Sequence, residues 1–280
     1  MSQIDRYCVI GNPIAHSRSP RIHSLFAELT GQSLVYEREL VALDGFDTAL
    51  RHLVASGTRG MNVTVPFKLD AARTADTRSD RVVRCGAANT LVVGTDGRVH
   101  ADNTDGLGLV ADITRNAGVA LAGQRVLLLG AGGAAAGALA PLLAEAPAQL
   151  VISNRTQAKA EALVAQHADL AALYKTELLA LSSEALKGNF DLIINATASS
   201  LQGAAIPAPT HVVRPGTLVY DMMYGPAAQP FLHWAAQLGG VPRDGLGMLV
   251  EQAAEAFLLW RGVRPPSQPV LAQVRAEISA

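Results

Sequence analysis

Short apolar runs alternate with segments of helical spacing along this chain of 280 residues. Tyr7–Ile10 reads as a strand, and Ser19-Pro20 starts a helix through about Leu29. There Ser19 is expected as the N-cap and Pro20 as the first helical residue, where a missing N–H costs nothing. Leu34–Val41 alternates like a strand, Phe46–Ser56 has helical spacing, and Gly60–Val65 is a further strand. Pro66 then opens a helix over Phe67–Asp76. Thr95-Asp96-Gly97 separates Asn89–Val93 from Arg98–Ala101, and Asp-Gly between two strands predicts a hairpin. Asp105-Gly106 begins a helix over Leu107–Asn116 that Gly118 ends. From Val126 the rhythm sharpens, with strands over 126–130, 149–154, 190–195 and 217–222 and helices between them. Helices over Gly247–Gly262 and Pro269–Ile278 close the chain. The pattern predicts an α/β protein with parallel sheets, its second half doubly wound.

One junction in this pattern carries chemistry. Val126–Leu129 is a continuous apolar run, as in a strand buried on both faces, and Gly130-Ala131-Gly132-Gly133-Ala134 follows it. Glycines there permit a tight turn and a close backbone approach to a pyrophosphate, which the N-terminal amides of the next helix can hold. A site for NAD usually carries Asp or Glu at the end of the following strand, to accept from the ribose 2′-hydroxyl. This chain has Asn154-Arg155-Thr156 instead, with Lys159 four residues after Arg155 and so expected on the same side of the next helix. Two cations and no carboxylate suit a 2′-phosphate, so the segment predicts a Rossmann-type NADP domain. Val126–Ala144 also lacks charge and contains Gly133-x-x-x-Gly137, a combination found in membrane helices. Its glycines, Pro141 and the absence of basic flanking clusters argue against a span.

Composition narrows the class. Nearly half the residues are apolar, 17% are charged and the net charge is −1, which describes a globular chain and favours neither nucleic acid nor an anionic membrane as partner. The basic run Arg73–Arg84, interrupted by Asp76 and Asp80, reads as a solvated helix face. Two cysteines, Cys8 and Cys85, suit reduced thiols, and no signal-peptide pattern opens the sequence, so a cytoplasmic protein is expected. No His or Cys spacing suggests a metal site.

Four polar clusters fall at strand ends or helix starts, where open α/β sheets gather ligand-binding residues. They are Gly11–Pro20, Asn62–Lys68, Asn89-Thr90 and Asp102–Gly106. Ser19 and Asp105 could each serve only as a helix cap. Lys68 is the anomaly, because a cation in a first helical turn opposes the helix dipole.

These clusters carry a resemblance that runs nearly end to end. Gly-Asn-Pro-Ile-x-His-Ser-x-Ser-Pro (11–20), Asn-Val-Thr-x-Pro-Phe-Lys (62–68), Gly-Ala-x-Asn-Thr (86–90), Asp-Asn-Thr-Asp-Gly (102–106) and Gly-Ala-Gly-Gly (130–133) stand in order. Asn-Arg-Thr (154–156), Asn-Ala-Thr (195–197), Asp-Met-x-Tyr (221–224) and Gly-x-Gly-Met-Leu-Val-x-Gln-Ala-Ala (245–254) follow. The chain resembles the shikimate dehydrogenase family, whose members reduce 3-dehydroshikimate to shikimate with NADP.

The resemblance implies that Ser17 and Ser19 bind the substrate carboxylate, and that Asn62, Thr64, Asn89, Asp105 and Gln252 hold the ring hydroxyls. It implies that Lys68 and Asp105 form the catalytic pair and that Tyr224 lies beside the substrate. Gly130, Ala131, Gly132, Gly133, Ala134, Asn154, Arg155, Thr156, Lys159, Thr197 and Met222 fall to the cofactor, with Gly245 and Met248 approaching the nicotinamide. A substrate domain over 1–106, completed by 245–280, and an NADP domain over 107–244 are expected. Two departures bear on cofactor affinity. Ala135-Ala136 stands where many members have Ser-Arg, and Ala198 where Ser is commoner. A quinate/shikimate dehydrogenase with relaxed cofactor use and a non-catalytic NADP-binding regulator are the rival readings. The expected partner is a small molecule, with the chain a monomer or homodimer. The Tyr-x-x-x-Lys of short-chain dehydrogenases is absent.

Overall fold

A computed structural model describes residues 4–197, 206 and 208–279. The chain divides into two compact units, Met1–Gly108 with Val250–Ala280, and Leu109–Leu249. Both divisions fall a few residues beyond the expected 106/107 and 244/245. They lie inside continuous helices, where no turn residue marks a break.

In the first unit β1 (Asp5–Gly11), α1 (Ser19–Thr30), β2 (Leu34–Leu40), α2 (Phe46–Ala55) and β3 (Thr58–Val63) come first. They are followed by α3 (Lys68–Thr74), β4 (Thr77–Arg78), α4 (Asp80–Cys85), β5 (Thr90–Val93) and β6 (Val99–Asp102). The six strands run in the order β2-β1-β3-β5-β6-β4. β1 is parallel to β2 and β3, but β5 is antiparallel to both β3 and β6. The expectation of parallel sheets is therefore corrected for this unit. A short turn closed by Gly97 at φ 78° joins β5 to β6, and so tight a connection can only reverse the chain. Ile10, Phe46, Met61, Phe67 and Leu91 are buried together at the core of this unit.

Three local expectations are revised here. Ser19 is the first residue of α1 rather than its cap, and the Ser17 hydroxyl accepts from the Ser19 N–H at 3.3 Å. Asp105 is likewise already helical; its N–H donates to Asn103 Oδ1 at 3.1 Å, so its own carboxylate is left for other partners. The run Arg73–Arg84 is not one solvated helix face. It spans the end of α3, β4 and α4, and Arg81 pairs at 2.7 Å with the buried Asp102. A two-residue strand is too short to leave a period in the sequence.

The helix α5 (Asp105–Ala111) runs on as a π-helical turn over Asp112–Asn116, and Gly118 follows at φ 69°. The second unit then contains β7 (Arg125–Leu129), α6 (Gly133–Ala144), β8 (Gln149–Ser153), α7 (Gln157–Gln166) and α8 (Ala168–Leu173). After these come β9 (Glu177–Ala180), β10 (Leu192–Asn195), β11 (Leu218–Asp221), α9 (Gln229–Gln237) and β12 (Val241–Arg243). All six strands are parallel, in the order β12-β11-β10-β7-β8-β9, so the connection reverses between β7 and β10. Val126 and Leu128 bury into one apolar cluster and Leu127 and Leu129 into another, as a strand covered on both faces requires. The edge strands β9 and β12 were not expected, since each is short and partly polar or proline-containing. The uncharged stretch after Val126 is a strand and a twelve-residue helix. Among the described residues no helix is long and apolar enough to cross a membrane.

The last helices are α10 (Leu246–Arg261) and α11 (Ser267–Ser279). Trp260 of α10 stacks on Tyr7 with ring centroids 4.8 Å apart and donates from Nε1 to the Leu91 carbonyl at 2.9 Å. Gly60 makes this approach possible, because a Cβ there would stand 2.3 Å from the indole nitrogen. The same helix carries Gln252, buried among polar residues of the first unit.

Candidate functional site

The polar residues of the first unit are assembled by backbone contacts between the ends of its strands. Thr64, just beyond β3, donates its N–H to the Ile10 carbonyl at 2.9 Å, and its methyl lies where a Cβ on Gly11 would come within 2.6 Å. Asn12-Pro13 and Val65-Pro66 are cis peptides flanking this crossing. Phe67 immediately precedes α3 and Lys68 is its first residue, while the Ala88 N–H reaches the Lys68 carbonyl at 2.8 Å. The Asn89 N–H in turn meets the Asp102 carbonyl at 3.1 Å. Lys68, Asn89 and Asp105 are thus brought together by backbone hydrogen bonds rather than by sequence proximity.

Lys68 Nζ stands 2.5 Å from Asp105 Oδ2, with the two side chains 31% and 16% exposed. The other carboxylate oxygen accepts from Asn89 Nδ2 at 2.7 Å. Asn89 Nδ2 also faces Gln252 Oε1 at 3.2 Å and Thr104 Oγ1 at 3.0 Å. Asn62 is buried and donates from Nδ2 to the Asn89 carbonyl and to Thr90 Oγ1, each at 3.2 Å. Tyr36 donates its hydroxyl to Asn62 Oδ1 at 2.7 Å. Burial holds that phenol well above its usual pKa, against a smaller opposing contribution from the Ser19 hydroxyl, so it remains a donor. The half-buried Ser17 is fixed through its carbonyl, which accepts from Arg38 Nη2 at 2.7 Å and Nε at 3.1 Å.

Tyr36, Arg38, Thr90 and Thr104 therefore belong to the cluster; Thr90 and Thr104 stand inside two of the polar motifs, whereas Tyr36 and Arg38 stand in none. Tyr36 left one usable signal, a hydroxyl on an alternating strand that needs a partner once its ring packs inward, whereas Arg38 is exposed and left none.

In the second unit the expected cofactor residues gather at the carboxyl ends of parallel strands, where such sheets bind ligands. Gly130 turns at φ 108° directly after β7, and a Cβ there would stand 3.0 Å from Thr197. Ala131 packs against the apolar core, whereas Gly132 and Gly133 have open space where a Cβ would be. Ala134 lies in the first turn of α6, which opens at Gly133, four residues after the end of β7, and whose first-turn amides have no side-chain cap. This cradle fits a pyrophosphate. After β8, Asn154 closes the turn by donating from Nδ2 to the Thr156 carbonyl at 2.9 Å, leaving Arg155, Thr156 and Lys159 exposed. Arg155 precedes α7 and Lys159 lies within it, so the two do not share a helix face as expected. Both remain solvent-facing cations next to the strand end.

The neighbouring loops are tied together through Asn195 and Asp221, which face each other across β10 and β11 with Nδ2 3.1 Å from Oδ2. Asn195 Oδ1 accepts from the Thr197 hydroxyl at 2.7 Å, and the Met222 N–H reaches the Asn195 carbonyl at 3.0 Å. Gly245 comes so close to Met222 that a Cβ would stand 2.2 Å from its carbonyl oxygen. Gly247 is similarly required beside the fully buried Asp112, which Arg243 Nη2 meets at 2.6 Å and the Tyr220 hydroxyl at 2.8 Å. Met248 packs against the core at the start of α10, and Tyr224 precedes the short 3-10 turn over Gly225–Ala228. Ala198 lies outside the described residues. Among the described residues no group of three or more His, Cys, Asp or Glu could hold a metal ion.

A glycine turn at the switch point of a parallel sheet, with a Lys–Asp pair in a separate polar cluster, defines the class: a two-unit α/β oxidoreductase using a dinucleotide. Family models described as the shikimate dehydrogenase substrate binding domain, shikimate / quinate 5-dehydrogenase and the shikimate 5'-dehydrogenase C-terminal domain match residues 9–91, 109–205 and 245–275. The chain belongs to the shikimate dehydrogenase family. It is 68% identical over 276 residues to a protein of Acidovorax sp. (strain JS42) named shikimate dehydrogenase (NADP(+)), covering 99% of this chain and 98% of that one. The solved structure of an Ael1 enzyme from Pseudomonas putida has a TM-score of 0.90 at 47% identity, over 96% of this chain and 97% of the other. Shikimate 5-dehydrogenase from Thermus thermophilus, solved with NADP(H) and shikimate, has a TM-score of 0.82 at 30% identity, over 98% of this chain and 99% of that one.

Proposed function

We propose that this protein catalyses the reversible, NADP-dependent reduction of 3-dehydroshikimate to shikimate, with Lys68 and Asp105 as its acid–base pair. The observation that carries the reading is Lys68 Nζ at 2.5 Å from an Asp105 carboxylate whose second oxygen is held by Asn89. NADPH, when bound, supplies a hydride to the ketone carbon. Lys68 meets the negative charge that develops on the carbonyl oxygen and gives up a proton to it, and Asp105 orients the ammonium throughout. In the oxidative direction the Lys68 amine takes the hydroxyl proton back.

In this reading the first unit binds substrate. Ser17 and Ser19 donate hydroxyls to its carboxylate, and Asn62, Thr64, Asn89 and Gln252 hold its ring hydroxyls. The second unit binds NADP. Gly130 to Ala134 and the first turn of α6 take the pyrophosphate, while Asn154, Arg155, Thr156 and Lys159 take the 2′-phosphate ribose. Thr197, Met222, Gly245 and Met248 are assigned to the nicotinamide side and Tyr224 to the substrate. The free thiols of Cys8 and Cys85 suit a cytoplasmic setting. Initial rates with shikimate and quinate, each with NADP and NAD, test the reading. Turnover confined to shikimate with NADP is expected; equal rates with quinate and NAD would make it a broader quinate/shikimate dehydrogenase, and no turnover would favour a regulator.

A further inference from the structure

The polar cluster of the first unit has a direction, set by two backbone groups. The Asn89 carbonyl can only accept, so the Asn62 atom facing it at 3.2 Å is the amide nitrogen. Asn62 Oδ1 then faces Tyr36, whose hydroxyl at 2.7 Å must be the donor. At the other end the Thr104 N–H can only donate, and it meets Asn89 Oδ1 at 2.8 Å. Asn89 therefore turns its nitrogen to Asp105 Oδ1 at 2.7 Å. Between them the Thr90 hydroxyl donates to Asn89 Oδ1 at 2.9 Å and accepts from Asn62 Nδ2 at 3.2 Å.

We propose that Tyr36 is a positioning residue for the Lys68–Asp105 pair, its phenol starting a one-way chain of hydrogen bonds through Asn62, Thr90 and Asn89 to the Asp105 carboxylate. The inference rests on the assignment of Lys68 and Asp105 as the acid–base pair. Without the phenol, the buried Asn62 Oδ1 loses its donor. If the amide rotates in response, its oxygen is set against the Asn89 carbonyl and its nitrogen leaves Thr90. Thr90 is then free to turn away from Asn89, and the group that orients Asp105 loosens. The Tyr36 ring is itself held by the buried His23, stacked on it with centroids 4.2 Å apart and planes 6° apart. Phenylalanine keeps that stack, so Tyr36→Phe leaves the ring in place and removes only the hydroxyl, with its bond to Asn62 and its contact with the Ser19 hydroxyl.

The test uses the full chain as wild type, Tyr36→Phe, Asn62→Ala and the double variant. Tyr36→Phe should lower kcat for shikimate oxidation about 3–10-fold while leaving the KM for NADP within about 2-fold, as loss of one hydrogen bond at a distance implies. In the Asn62→Ala background the same change should lower kcat less than about 2-fold, because the chain is already cut. Effects that multiply, or a fall in Tm with kcat intact, would overturn the positioning role. A wild type without shikimate turnover, or Lys68→Ala with full turnover, would defeat the functional assignment instead. The chain is then read by NMR: exchange of the Asn89 side-chain amide protons should quicken in Tyr36→Phe, and unchanged exchange would overturn it.

Discussion

Replacing Lys68 by Ala separates catalysis from folding because the structure makes its two energetic consequences so unequal. The Lys68–Asp105 pair is partly exposed, at 31% and 16%, so its contribution to stability is about 0.2–1 kcal/mol. Lys68 is also the first residue of α3, where a cation opposes the helix dipole by about 0.3–1 kcal/mol. The two nearly cancel. Asp105 moreover keeps its hydrogen bond from Asn89 at 2.7 Å, so it is not stranded without a partner. Stability should therefore change by less than about 1 kcal/mol. Loss of the proton donor should lower kcat by roughly 10²–10⁴-fold, which is about 2.7–5.4 kcal/mol of barrier. Initial rates of NADPH formation at saturating shikimate, with urea unfolding of the same preparations, measure both quantities. The KM for shikimate should move much less, since the ring hydroxyls and the carboxylate have other partners. Near-normal kcat with a large rise in KM would refute the argument and reduce Lys68 to a binding residue.

Three further outcomes follow from the same geometry. Changing the exposed Arg155 and Lys159 together to Ala should raise the KM for NADP by about 10-fold or more and that for NAD by less than about 3-fold, given the strength of charge-assisted bonds to phosphate; equal losses would contradict the 2′-phosphate assignment. Ser17→Ala and Ser19→Ala should each weaken shikimate binding by about 1–3 kcal/mol and leave NADP binding unchanged, as titration calorimetry can establish; a change confined to Tm would leave the serines a purely local role at the start of α1. Burial pushes the His23 imidazole down from 6.5 to about 3, so below pH 6.5 the unfolded chain takes up a proton that the folded one refuses. Stability should then fall with pH by about 1.4 kcal/mol per unit in wild type relative to His23→Phe; a stability difference between the two that is constant from pH 7 to about pH 4.5 would show that the imidazole is not held neutral.

Much of this protein is written locally along the chain. The run Val126–Leu129 declares a strand covered on both faces, because every position in it is apolar, and the glycines after it mark the turn that Gly130 makes at positive φ. Lys68 betrays itself by standing where a helix disfavours a cation. Such features depend on neighbours a few residues away, so periodicity and turn chemistry suffice to read them. The antiparallel pairing of β5 with β3, the edge strands β9 and β12, and the pairing of Arg81 with the buried Asp102 depend on residues far apart in sequence. So does the cluster that orients Asp105. Tyr36 and Asn62 are 26 residues apart and Asn89 and Gln252 are 163 apart, and nothing near either member of a pair says which residue it will meet. A hydrogen bond needs its donor and acceptor within about 3 Å and correctly turned. No local pattern encodes that condition; only the packing of β1, β2, β3, β5 and α10 in one unit decides which polar ends meet.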